Sequence, residues 1–167
     1  AHYWRGVLLS GKSDCADAEQ ALRASLAAAP DAQTASLARL RLAVALQRQD
    51  RMDEAADQIV PLLDEPARVA ENPALVEWLA RRRFEQEQYD RTLQAATVLA
   101  ENSKEPSWRQ IGWYWAGASQ ARLGDDKASA AAYEKAVTEK ASTREGAEAQ
   151  LLLASLDLKA GRREKAA

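Results

Sequence analysis

The sequence predicts an all-α chain built of antiparallel helix pairs. Three observations carry that reading: a composition of helix formers, a recurrence at 37-residue spacing, and two columns of small residues at fixed distances from each turn. Ala, Leu, Glu, Arg and Gln dominate the 167 residues, while Gly (7) and Pro (5) are few. Residues that lose little freedom in a helix therefore outnumber the strand formers. With 47% hydrophobic residues the chain has the apolar content of a folded protein.

Residues 40–55 (LRLAVALQRQDRMDEA), 113–129 and 151–166 (LLLASLDLKAGRREKA) share one shape, and aligning their turns places Ser13, Asp50, Glu87, Gly124 and Gly161 37 residues apart. Five units follow, approximately 1–35, 36–72, 73–109, 110–146 and 147–167, in a single repeat domain over 1–167. Seven residues before each turn stands a small residue: Gly6, Ala43, Ala80, Gly117 and Ala154. Five residues after it stands another: Ala18, Ala55, Thr92, Ser129 and Ala166. Two helices approach closely only where the facing side chains are small and larger ones fill in around them. Leu42, Leu79 and Leu153 on first helices, with Leu22, Ile59 and Tyr133 on second helices, form the expected core.

In the second unit Pro61 is expected to end or kink its second helix early, because it lacks a backbone donor. In the fourth, Gly124 suits the left-handed position after a helix and Asp125 is placed to cap the next. Gly161 takes the same role in the fifth. Loops are expected at 30–34, 64–73, 102–107 and 140–146. No polar cap is visible at either end, so flanking sequence or a partner is expected there. The start at Ala1-His2-Tyr3, without an initiator Met, fits a processed chain or part of a longer one.

The segment Trp113-Tyr114-Trp115-Ala116-Gly117, then Leu123-Gly124-Asp125, then Ala132-Tyr133-Glu134-Lys135-Ala136-Val137 resembles a tetratricopeptide repeat. Residues 42–63 and 149–166 are similar, and the resemblance covers nearly the whole chain. It implies a right-handed superhelical solenoid of antiparallel helix pairs. The spacing of 37 exceeds the family's period of about 34, implying longer helices or loops. Arg83 stands where the family prefers an apolar or aromatic residue, and Phe84 is the neighbour able to replace it.

First helices of such a stack line its concave side, which in this family commonly binds peptides. Carried over, the pattern assigns to that side Tyr3 and Trp4; Leu40, Arg41, Val44 and Arg48; Glu77, Trp78 and Arg81; and Tyr114, Trp115 and Arg122. Aromatic and arginine side chains are those enriched at binding hot spots. The alternative for each aromatic is simply to pack one repeat on the next. The Lys/Asn carboxylate clamp that family members use on chaperone tails is absent, since the corresponding places hold Tyr3, Val7, Arg41, Glu77 and Arg81. The expected function is non-catalytic binding of a protein or peptide partner. The alternatives are a scaffold that self-associates through its ends, or the non-catalytic arm of a larger enzyme.

Charge and chemistry narrow the field. A net charge of −2, from 23 basic and 25 acidic residues mixed along the chain, offers no field for nucleic acid or anionic lipid. No apolar stretch reaches the roughly 18 residues of a membrane span. His2 and Cys15 are the sole His and Cys, too few donors for a metal site and none for an internal disulfide. Cys15 is read as a packing residue beside a turn. No phosphate-binding loop, nucleophile elbow or HExxH motif is present, so neither cofactor nor catalytic residue is expected. Arg81-Arg82-Arg83, offset by Glu85 and Glu87, reads as a solvated face or as Arg81 turned toward the groove. The Ala-rich composition suggests a bacterial source, with cytoplasm and periplasm both open.

Overall fold

The computed structural model describes Tyr3 and residues 15–28 and 30–161. Among the described residues the regular structure is entirely helical. In chain order the helices are α1 (Cys15–Ala27), α2 (Ala32–Arg48), α3 (Met52–Ile59), α4 (Pro66–Glu71), α5 (Pro73–Glu85), α6 (Tyr89–Asn102), α7 (Pro106–Arg122), α8 (Asp126–Thr138) and α9 (Arg144–Lys159). A 3-10 segment, Val60–Asp64, extends α3. The chain forms two compact units, Ala1–Glu65 and Pro66–Ala167.

The 37-residue recurrence is written into the backbone. Asp50, Glu87, Gly124 and Gly161 all have positive φ, at 60°, 59°, 86° and 75°. Three of these turns share one closure: Arg51 N–H donates to Leu46 O at 3.0 Å, Gln88 N–H to Arg83 O at 2.9 Å, and Asp125 N–H to Gln120 O at 2.9 Å. This is the six-to-one hydrogen bond of a Schellman cap, which satisfies a carbonyl that the ending helix leaves open. Asp125 then caps α8 by accepting from Ala128 N–H at 2.9 Å. Asp31 and Thr143 cap α2 and α9 in the same way.

In the first unit α1 packs on α2 and α2 on α3. The small columns lie at the contacts: Ala18, Ala43 and Ala55 are each 0% exposed, with Leu22, Leu42, Leu46 and Ile59 around them. Across α1 and α3, Glu19 accepts hydrogen bonds from Arg23, Gln49 and Arg51, while Arg51 also reaches Glu54. Pro61 acts as expected, since α3 ends at Ile59 and the chain tightens into 3-10 geometry.

In the second unit each of α5 to α9 packs on the next, and the first helices also touch, α5 on α7 and α7 on α9. Ala80, Thr92, Gly117 and Ser129 are buried at the pair contacts. At Gly117 a Cβ would stand 2.7 Å from the Tyr133 ring, so only glycine lets α7 and α8 come this close. The expected loop at 64–73 is largely a helix instead. Pro66 and Pro73 open α4 and α5, where proline's missing N–H costs nothing, and Val69 buries α4 among the helices it meets, α5 and α6. Thr34 likewise lies inside α2 rather than in the loop before it. Gly6 and Ala166, the terminal members of the small columns, lie outside the described residues.

Candidate functional site

The candidate groove residues from Leu40 to Arg122 fall on the first helices α2, α5 and α7, and their surroundings differ. Tyr3 is half-buried, and Trp4 lies outside the described residues. On α2, Leu40 is 8% exposed and belongs to the core, Val44 is half-buried, and Arg41 and Arg48 are exposed. On α5, Glu77 and Trp78 are half-buried and Arg81 is exposed. On α7, Tyr114 and Trp115 are half-buried and Arg122 is exposed.

Within the second unit the side chains between α5 and α7 form a chain of aromatic contacts. Phe84 lies between Tyr89 and Trp115, with ring centroids 5.3 Å away on each side. The Arg122 guanidinium stands 5.8 Å from the same Phe84 ring, close enough for attraction to its negative face. Arg83 is only 9% exposed and donates to the Gln88 side chain at 2.8 Å.

Trp115 and Tyr114 face opposite neighbours. Trp115 turns to α5, and its buried indole N–H approaches the Glu77 carboxylate without meeting hydrogen-bond geometry. The Glu77 carboxyl is held above the ordinary carboxylate range, mainly by burial and further by repulsion from Glu145 and Glu85. Arg81, with Nε 3.7 Å away, only partly offsets this. Tyr114 packs against the cluster of Tyr133, Ala136 and Ala149, and its hydroxyl donates to Glu148 on α9 at 2.8 Å. Burial first, and the Glu148 carboxylate second, push the Tyr114 phenol above its ordinary range. Glu148 moves the other way, because Tyr114 and Arg144 both donate to it. These two aromatics therefore join consecutive first helices, while Arg81 and Arg122 present their charges to solvent.

Two contacts have no signal in the repeat pattern. Gln110 on α7 is 3% exposed, donates to Ala136 O at 2.9 Å and accepts from the Thr143 hydroxyl at 2.7 Å. It ties α7 to the end of α8 and the cap of α9, and a Cβ on Gly146 would meet it at 2.3 Å. Lys135 Nζ sits 4.0 Å from the Trp113 ring centroid, placing Trp113 between helices of one pair.

Among the described residues no cluster of three or more His, Cys, Asp or Glu side chains is arranged to hold a metal ion. No helix there is long and apolar enough to cross a membrane. Compared with known protein families, curated proteins and solved structures, the chain matches none.

Proposed function

We propose that this chain is a non-catalytic protein-interaction module that takes a peptide or partner segment along its first helices, in a stack of tetratricopeptide type with right-handed superhelical curvature. The observation that carries the reading is the contact between α5 and α7, where the Phe84 and Trp115 rings pack at 5.3 Å with a 56° tilt, Arg122 lies against Phe84, and Arg122 and Arg81 on the same two helices are exposed. Aromatic surface beside arginine is the pairing that dominates binding energy at interfaces. The repeated left-handed turns support the stacked architecture, because they return the chain in the same manner each time.

Selection of peptides from a display library on the intact chain, with the Arg81→Ala/Arg122→Ala variant as counter-target, tests the reading. Both side chains are exposed, so the variant is expected to keep its helicity. Enriched peptides are expected to bind the variant at least tenfold more weakly, about 1.4 kcal/mol. Failure to enrich any peptide, or equal binding to both proteins, overturns the proposal.

A further inference from the structure

Within the second unit, α7 packs on α5 to one side and on α9 to the other, and Tyr114 and Trp115 lie between carboxylates from both. Glu77 stands on α5, with Glu85 eight residues further along the helix. On α9, Glu145 and Glu148 are three residues apart and so share a face, the face that receives the Tyr114 hydroxyl. The negative charge of Glu145 acts on both Glu77 and Tyr114, so the carboxylates of α5 and α9 face each other over the two rings.

The cations of the unit do not balance these charges. Arg81 approaches Glu77 only to 3.7 Å, beyond hydrogen-bond distance. Arg144 is engaged by Glu148 at 2.9 Å. Glu145 is half-buried and has no ion pair among the described residues. Carboxylates set near one another and partly out of water, without a cation between them, are costly to the fold, and a cation arriving there recovers that cost on binding. The rings favour the same occupant. Tyr114 and Trp115 stand 5.1 Å apart at 70° and are both half-buried, and an aromatic face attracts an ammonium or guanidinium. The Tyr114 hydroxyl gives its proton to Glu148, which leaves its oxygen able to accept from a cation. A carboxylate or phosphate would be repelled from the same place.

Resting on the peptide reading above, we propose that this surface takes a lysine or arginine side chain of the partner segment, with its cationic head between Glu77 and Glu145 and its stem against Tyr114 and Trp115. The partner is then a basic segment at this point, whatever its residues at Arg81 and Arg122. A metal ion does not fit here, since the rings supply no ligand and no cluster of three or more donors is arranged for one among the described residues.

Panning a random peptide display library on the intact chain, with Glu77→Gln/Glu145→Gln and Arg81→Ala/Arg122→Ala as parallel targets, tests the assignment. Glutamine keeps the size of glutamate and removes its charge, so the double Gln variant is expected to keep its helicity. Peptides enriched on the parent are expected to share a lysine or arginine at one position and to bind the double Gln variant about tenfold more weakly. Changing that peptide residue to glutamine is expected to cost as much. A charge swap separates direct contact from an effect on the fold: Glu145→Lys is expected to bind the basic peptide worst and to regain affinity when the peptide carries glutamate in that place. No enrichment, or equal binding to the Arg81→Ala/Arg122→Ala variant, overturns the peptide reading and this assignment with it. Peptides that depend on Arg81 and Arg122 but show no shared basic residue, that bind the double Gln variant as tightly as the parent, or that gain nothing from the swap overturn this assignment alone.

Discussion

At the residue scale, two partly buried carboxylates, Glu19 in the first unit and Glu77 in the second, respond to pH in opposite directions. Glu19 is partly buried, which alone disfavours its charge, yet hydrogen bonds from Gln49, Arg23 and Arg51 outweigh that cost and bring its carboxyl below the ordinary range. A group whose folded pKa is depressed contributes stability above its unfolded pKa, near 4.3 for Glu, and loses it as pH falls through the folded value. Glu77 is raised by burial and by Glu145 and Glu85, so its ionised form opposes folding at neutral pH and the penalty fades on acidification. Thermal melts at stepped pH check both signs. Glu19→Gln is expected to lower Tm at neutral pH and to flatten its fall through the carboxylate range. Glu77→Gln is expected to raise Tm at neutral pH and to lose that gain in acid.

At the element scale the turns are the recurring device, and they are not equally well made. Gly124 and Gly161 take the left-handed conformation without steric cost, whereas Asp50 and Glu87 take it with a Cβ. The Schellman closure holds all the same at Asp50 and Glu87, because the open carbonyls at the ends of α2 and α5 gain donors. Glu87→Gly is expected to stabilise the protein by about 1 kcal/mol, and Gly124→Ala to destabilise it by about as much. Urea unfolding curves for the two variants give both values. A Glu87→Gly variant no more stable than the parent would show that the Glu87 side chain repays its backbone strain.

At the scale of the whole molecule, each unit carries its own core. Leu79, Leu99, Tyr133 and Ala136 are buried in the second unit, and Leu22, Leu42, Leu46 and Ile59 in the first. The second unit is the larger, and larger cores bury a greater share of their surface. A fragment of residues 66–161 is therefore expected to keep a helical circular dichroism spectrum and to melt cooperatively. A non-cooperative melt would show that its helices depend on residues 1–65.

The sequence by itself determined the helical class, the spacing of the turns and the small columns. Each is a local matter: a propensity, a conformation that glycine favours, or a contact that admits no large side chain. It marked Asp50 and Glu87 as turn residues through spacing alone, although neither is glycine. It did not determine that residues 66–71 are helical, because a proline that closes one segment also suits the start of the next, and neighbouring helices decide which use prevails. Nor did it separate the groove candidates. Leu40 packs in the core, Tyr114 and Trp115 join successive first helices, and Arg81 and Arg122 remain open. That sorting was left to the tertiary structure, because a first helix meets its pair partner on one side and the next first helix on another. The rotation of each residue about the helix axis, together with the neighbour it meets, decides whether it packs or faces solvent.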